Sequence, residues 1–125
     1  MRLGILLFIL LMASQSVKAI PFTQEVQYMH EEALLEGYLA YDDTSESQRP
    51  GILVVHDWTG IGSFVRDRVE KLAQMGYIVF AVDIYGKGIR PQSPQEAGAE
   101  AGKYKANREL LRGRVLAGLG VLQKH

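Results

Sequence analysis

Two apolar runs in the middle of the chain have the character of buried strands. The first, Ile52 to Val55, stops abruptly at the polar and aromatic cluster His56-Asp57-Trp58. Because its residues do not alternate with polar ones, we expect a strand covered on both faces, as the central strands of a parallel α/β sheet are. The second run, Tyr77 to Val82, is equally apolar and is ended by Asp83. The two runs therefore predict two strands of one sheet.

The segment between these runs predicts an amphipathic helix. Ser63 is its predicted N-cap, Gly76 lies at its predicted end, and charged residues separate apolar residues at helical spacing, namely Val65, Val69, Leu72 and Ala73. Strand, helix and strand within about 30 residues predict a right-handed βαβ unit with parallel strands, since parallel pairing requires a crossover of that length. In open α/β sheets, ligands bind at the carboxyl ends of the strands, where His56-Asp57-Trp58 and Asp83 fall.

The residues on either side of this unit predict a hairpin before it and a helix after it. Runs rich in Val, Tyr and Leu at 24–29 and 34–41 indicate two antiparallel strands, and Gly37 indicates a bulge or a close backbone approach. After a loop, Ser93-Pro94-Gln95-Glu96 is a capping box with proline at the first helical position. We therefore expect a mixed sheet that opens with antiparallel strands.

Basic residues crowd the polar side of the last helical segment: Lys103, Lys105, Arg108, Arg112 and Arg114. We interpret them as a solvated helix face rather than as a site for an anionic ligand. Gly98 and Gly102 weaken the first turns of the segment and are the expected position of a break into two helices.

The first residues form a separate segment. Arg2 is followed by a short apolar core that ends at Met12, and Val17-Lys18-Ala19 is a small-x-small cleavage site. This pattern predicts a secretory signal peptide at residues 1–19, cleaved after Ala19, and a secreted or periplasmic product formed by residues 20–125. The apolar core is shorter than the roughly 20 residues that a membrane span needs, so we expect no membrane association after cleavage.

Charge and composition exclude several classes of function. Removal of residues 1–19 takes away Arg2 and Lys18 and no acidic residue, which leaves 12 basic and 14 acidic residues of the original 14 and 14. This balance does not favour nucleic acid or an anionic membrane as a partner. The sequence has no cysteine, and its three histidines are scattered, so it predicts neither a disulfide framework nor a metal site.

One alternative is a dinucleotide site of the Rossmann type. Gly60 and Gly62 lie between a predicted strand and a predicted helix, and Asp83 ends the next strand about 20 residues on, where the fingerprint places its ribose-binding acid. The third glycine position is occupied by Val65, and four residues separate the strand from Gly60. The antiparallel hairpin ahead of the unit also differs from Rossmann domains, which open with the nucleotide-binding strand.

Four blocks of the sequence carry a more specific resemblance, in the order and at the spacing of one family: Leu35 to Tyr41, Pro50 to Gly60, Gly76-Tyr77 and Ala81 to Gly88. The chain resembles the dienelactone hydrolase family from about Glu25 to its last residue. The resemblance implies an α/β-hydrolase fold, which opens with antiparallel strands. It also implies hydrolysis of a small-molecule lactone or other carboxylic ester by a cysteine, with an aspartate and a histidine completing the triad and no cofactor.

The resemblance implies roles for two residues of this chain. In the family, an acidic residue just after the third strand interacts with the nucleophile, and the next backbone N–H helps to form the oxyanion hole. These positions match Asp57 and Trp58. A backbone donor at a strand end is a physically sensible choice, because donors fixed in advance at the developing oxyanion stabilise the transition state by a few kcal/mol each.

The chain departs from the family in its nucleophile. The family's cysteine lies in a G-x-C-x-G elbow on the strand that follows the helix ending here near Leu122, and this sequence contains no cysteine. Ser63 lacks the G-x-S-x-G frame of an elbow, and His56 comes too early in the chain to be the triad base. We therefore expect residues 20–125 to be a fragment, the N-terminal part of a truncated hydrolase domain, which has no activity as written.

Overall fold

A computed structural model describes residues 19–125, so the predicted signal peptide lies outside the described residues apart from Ala19. The chain forms four strands and three helices in the order β1 (Phe22–His30), β2 (Ala33–Tyr41), β3 (Gly51–Val55), α1 (Ser63–Gln74), β4 (Ile78–Val82), α2 (Pro94–Ala106) and α3 (Arg108–Leu122). Across the described part of the chain, no helix combines the length and the apolar character that a membrane crossing needs.

The four strands form one mixed sheet in the order β1-β2-β4-β3. β1 and β2 are the predicted antiparallel hairpin, β2 pairs antiparallel with β4, and β4 pairs in parallel with β3. The register places Val55 opposite Val82, so the carboxyl ends of β3 and β4 meet at the same edge. The predicted α/β fold, with an antiparallel hairpin followed by a parallel βαβ unit, is confirmed.

The position of β3 in the sheet differs from the prediction. We expected both parallel strands to be covered on both faces, but β3 lies at the edge of the sheet, and Val55 is 49% exposed. β4 is the fully covered strand, because it lies between β2 and β3 and has helices on both faces. The apolar run therefore correctly predicted a strand that pairs in parallel. It did not predict how deeply that strand is buried, because burial depends on the order of the strands in the sheet.

The core has two layers, one on each face of the sheet. On one face, α1 packs its apolar side, including Val65 and Val69, against Val79 and Ala81. On the other face, α2 and α3 pack against the other side chains of β4, which include Phe80. The sheet thus lies between helices on both of its faces. This three-layer arrangement buries the apolar sides of the helices and both faces of the central strand.

Gly37 allows the close approach that the sequence predicted. The β1–β2 register runs without interruption, so Gly37 is not a bulge. A Cβ at this position would lie 2.6 Å from the carbonyl oxygen of Ala81 and would also overlap the ring of Phe80. The absence of a side chain is therefore what lets the aromatic ring pack across β2.

Two helix ends differ from the prediction and one agrees with it. The N-cap of α1 is Gly62, whereas Ser63 is its first helical residue. The break in the last helical segment falls at Asn107, whose side chain caps α3 by accepting from Leu110 N–H at 3.0 Å, and not at the two glycines, which lie inside α2. Ser93 does cap α2, as predicted, by accepting from Glu96 N–H at 3.2 Å.

The basic residues of α2 and α3 are only partly the solvated face that we predicted. Lys105, Arg108 and Arg112 are exposed, and Lys103 pairs with Glu100 at 2.7 Å. Arg114 is buried, because α3 packs closely over the sheet at this point. The prediction was therefore wrong for Arg114.

Candidate active site

The loop that follows β3 is a tight turn built around Asp57. The Asp57 carbonyl accepts from Gly60 N–H at 3.2 Å, and Gly60 has a φ of 84°, in the left-handed region that glycine tolerates. One Asp57 carboxylate oxygen accepts from the N–H and the hydroxyl of Thr59, at 2.9 and 2.5 Å. This turn brings the chain off the end of the strand with a defined backbone direction.

Asp57 presents an ionised carboxylate to solvent at this edge of the sheet. The hydrogen bond from the Thr59 hydroxyl, followed by that from the Thr59 N–H, lowers the pKa of Asp57 below its ordinary value. Both bonds use the same oxygen. In the described residues, the second oxygen has no protein donor and is available to a group outside the turn.

His56 links the loops that follow the two parallel strands. Its Nδ1 lies 2.6 Å from the carbonyl oxygen of Asp57, and Ile84 N–H donates to its Nε2 at 3.1 Å. Because Nε2 accepts, the proton of the neutral ring is on Nδ1, which donates to Asp57. Burial lowers the pKa of His56, so the neutral form is favoured at neutral pH.

Trp58 lies in the same turn, and its backbone carbonyl and N–H differ in their hydrogen bonding. Its carbonyl accepts from the Tyr85 hydroxyl at 2.9 Å, and the Tyr85 carbonyl in turn accepts from the Tyr104 hydroxyl at 3.2 Å. The backbone N–H of Trp58 donates to no protein acceptor within residues 19–125. Trp58 as a whole is 49% exposed.

Asp83, at the end of β4, is a structural residue of the neighbouring loop. Its side chain is fully buried. One carboxylate oxygen accepts from Tyr85 N–H at 3.2 Å and Gly86 N–H at 3.1 Å, and the other accepts from Glu36 N–H at 3.0 Å. With both oxygens bonded and no exposed surface, Asp83 is not available to a ribose hydroxyl.

A cavity of about 340 Å³ opens beside these residues. It is lined mainly by apolar and aromatic side chains, with polar groups at one side, and its walls include His56, Asp57, Trp58, Tyr85, Tyr104 and Leu111. Small-molecule sites have this composition. A larger cavity of about 700 Å³ lies beside Gly51 and Ile78, at the opposite ends of β3 and β4, and none of the residues described above lines it.

The fold brings the two predicted site residues, Asp57 and Trp58, to one cavity. It does not assemble the nucleotide alternative, because Asp83 is buried and Gly60 is held within the Asp57 turn. Within the described chain, no group of three His, Cys, Asp or Glu side chains is placed to hold a metal ion.

The residues that support the two loops of the site were not predicted from the sequence. Tyr85 and Tyr104 were not identified, and His56 was considered only as a triad base. The only available signal was position, since His56 directly follows one parallel strand and Tyr85 comes two residues after Asp83, which follows the other.

The mixed sheet, with its opening hairpin and the cavity at the carboxyl ends of its parallel strands, has the arrangement of the α/β-hydrolase fold. Residues 35–124 match the dienelactone hydrolase family, and the chain belongs to that family.

Two curated relatives and one solved structure are similar to the chain. Protein usf of Aquifex pyrophilus is 31% identical over 78 residues, and a candidate carboxymethylenebutenolidase of Aquifex aeolicus (strain VF5) is 33% identical over 78 residues. Each match covers 60% of this chain and 32% of the relative. The solved structure m3DLH superposes with a TM-score of 0.80 at 22% identity, over 86% of this chain and 45% of that one. The chain therefore matches less than half the length of each.

Proposed function

We propose that this chain forms the oxyanion-binding side of the active site of a hydrolase that acts on a small-molecule lactone or other carboxylic ester. The observation that carries the proposal is the backbone N–H of Trp58, which has no protein acceptor in the described residues and belongs to a residue that lines the 340 Å³ cavity. An unpaired backbone N–H is a strong hydrogen-bond donor, so at the wall of a cavity it is suited to a ligand oxygen.

The chemistry follows from where charge develops in ester hydrolysis. Attack on the carbonyl carbon moves negative charge onto the carbonyl oxygen, and the Trp58 N–H would donate to that oxygen more strongly in the transition state than in the ground state. Loss of one such donor typically lowers kcat by about 10²–10³-fold. Asp57 would supply a carboxylate next to the nucleophile, held in place by Thr59.

The nucleophile is the part that this sequence does not supply. Its 125 residues include no cysteine, and we propose that the chain as written does not turn over esters. The assay is hydrolysis of 4-nitrophenyl acetate, compared with buffer and with a mock purification from the same host. A rate above both controls would contradict this part of the proposal.

We also propose that the protein is exported, with cleavage after Ala19. The support is the basic start, the apolar core and the small-x-small site at Val17-Lys18-Ala19. N-terminal sequencing of the protein recovered from the periplasm or medium of an expressing bacterium should begin at Ile20. Recovery of the intact N-terminus from the cytoplasm alone would refute export.

Ligand binding tests the oxyanion role without requiring turnover. n-Butylphosphonate, a tetrahedral oxyanion with a short apolar chain, is titrated into the ¹⁵N-labelled protein, with n-butanol as the uncharged control. We expect the Trp58 amide resonance to move along a saturable curve with a Kd of about 1 mM, or about −4 kcal/mol, and n-butanol to leave it in place. Trp58 is the only tryptophan, so its fluorescence gives an independent curve.

Two substitutions separate the backbone of residue 58 from its side chain. Trp58→Phe keeps the N–H and an aromatic ring and should keep phosphonate binding, whereas Trp58→Pro removes the N–H and should abolish it. If phosphonate moves other amides of the cavity but not that of Trp58 in the unsubstituted protein, the oxyanion role is wrong, whatever the variants do.

A further inference from the structure

We propose that His56 is a positioning residue for the Trp58 amide, and that protonation of its ring releases that amide from its fixed orientation. The inference rests on the proposed function, because it concerns the same N–H. It gives a role to a buried titratable group that the hydrolytic mechanism does not otherwise use.

The peptide bond between Asp57 and Trp58 connects the His56 ring to the Trp58 amide. The carbonyl of Asp57 and the N–H of Trp58 are the two ends of one planar unit, which is trans, since no cis peptide occurs in the described residues. The carbonyl end receives two donors, His56 Nδ1 at 2.6 Å and Gly60 N–H at 3.2 Å. Because the unit is rigid, fixing the direction of the carbonyl also fixes the direction of the N–H on its opposite side.

The ring of His56 is itself held from the neighbouring loop. Ile84 N–H donates to Nε2 at 3.1 Å, and the edge of the ring meets Tyr85 with the ring centroids 4.8 Å apart and the planes at 70°. This arrangement selects the tautomer with the proton on Nδ1, which is the donor that Asp57 needs. A donor on the carbonyl also polarises the peptide unit and makes the Trp58 N–H a stronger donor to a ligand oxygen.

Protonation would reverse the contact with Ile84. In the charged ring both nitrogens carry hydrogen, so the Nε2–H would face the Ile84 N–H and the ring would have to move. The charged groups around His56 are Asp57 in its own loop, Asp83 and Arg90 after β4, and Lys105 of α2, which lines the same cavity. Burial has the largest effect on the pKa of His56 and lowers it, so the neutral ring is favoured. The hydrogen bond to the Asp57 carbonyl and the carboxylates of Asp83 and Asp57 raise this pKa, and Arg90 lowers it.

The experiment is NMR on the whole 125-residue chain labelled with ¹⁵N. At neutral pH, the two ring-nitrogen shifts of His56 should identify the Nδ1–H tautomer. As the pH is lowered, the Trp58 amide resonance should move with the same midpoint as the ring nitrogens of His56. An Nε2–H tautomer, or a Trp58 amide that does not follow the His56 titration, would overturn the inference.

Two polar variants of similar size separate the two hydrogen bonds of the ring. His56→Asn places a donor near the position of Nδ1, so it should keep the Trp58 amide close to its original shift and remove its pH dependence. His56→Gln places its amide near Nε2 and lacks the Nδ1 donor, so it should displace the Trp58 amide at every pH. Equal displacement in both variants would show that only packing matters and would overturn the inference, and if either variant does not fold, the titration of the unsubstituted protein decides.

Tyr85→Phe is the matched control for the next peptide unit. The Tyr85 hydroxyl donates to the Trp58 carbonyl, which shares a peptide unit with the N–H of Thr59. This variant should therefore shift the amide resonance of Thr59 and leave that of Trp58 unchanged. A larger shift at Trp58 than at Thr59 would contradict the assignment to His56. The phosphonate titration tests the oxyanion role separately. If the Trp58 amide resonance follows the His56 titration but does not shift with phosphonate, the positioning role is supported and the oxyanion role is refuted. If it shifts with phosphonate but does not follow His56, only the positioning role is refuted.

Discussion

Asp83→Asn is the substitution that best tests how the second loop of the site is held. The buried carboxylate accepts three backbone N–H bonds, from Glu36 at 3.0 Å, Gly86 at 3.1 Å and Tyr85 at 3.2 Å. Asparagine has one acceptor oxygen and turns an NH₂ group toward at least one of these donors. Loss of a buried hydrogen bond to a charged acceptor, with a donor left facing a donor, is expected to cost about 2–4 kcal/mol.

Urea unfolding followed by Trp58 fluorescence and circular dichroism measures this loss, and the corresponding fall in Tm should be at least about 8 °C. Asp67→Asn is the control, because Asp67 is an exposed carboxylate paired with Lys71 four residues on at 2.8 Å, a contact worth only about 0.5 kcal/mol. If both variants are equally stable, the account of Asp83 is wrong.

Two further predictions concern packing and pH. Gly37→Ala should destabilise the fold by about 3 kcal/mol, because the new Cβ would overlap Phe80, whereas Gly102→Ala, with no atom within 4 Å of the new Cβ, should stabilise α2 by about 0.5–1 kcal/mol in the same denaturation assay. A loss of stability in both would refute the packing argument. The pKa of His56 in the folded protein lies below its ordinary 6.5, so the unfolded chain binds more protons, and the free energy of unfolding should fall as the pH drops below about 6.5. His56→Asn should reduce the dependence of the unfolding free energy on pH, whereas His125→Asn, at an exposed position, should leave it unchanged. Equal pH dependence in the unsubstituted protein and both variants would refute the assignment to His56.

Features set by neighbouring residues could be predicted from the sequence. The hairpin, the βαβ unit and the cap at Ser93 each depend on apolar periodicity or turn residues within a short window. The position of Asp57 and Trp58 at the cavity also followed, because the carboxyl end of a parallel strand is where side chains and free amides meet a ligand. Local pattern was enough to find the loop that carries the candidate site.

Features set by contacts between distant residues could not be predicted. Glu36 donates to Asp83 from 47 positions away, and the Tyr85 hydroxyl reaches the Trp58 carbonyl across 27 positions. The burial of Arg114 depends on how closely α3 approaches the sheet, where Gly118 leaves no room for a Cβ beside Val82. Neither periodicity nor composition contains these contacts, because they form only when distant elements of the chain pack against one another.

These distant contacts are what would make the candidate site work. A hydrogen-bond donor lowers a barrier only if its orientation is fixed before the substrate arrives, since otherwise the energy of fixing it is subtracted from the gain. At the end of β3 the local turn supplies one such constraint, Gly60 N–H on the Asp57 carbonyl, and the loop after β4 supplies another through Ile84 N–H, which holds the His56 ring that donates to the same carbonyl. The strand end by itself thus places the amide, whereas the neighbouring strand's loop determines how firmly it is held. A variant that loosens the second loop, such as Asp83→Asn, is therefore expected to weaken phosphonate binding at Trp58 without altering any residue of the cavity wall.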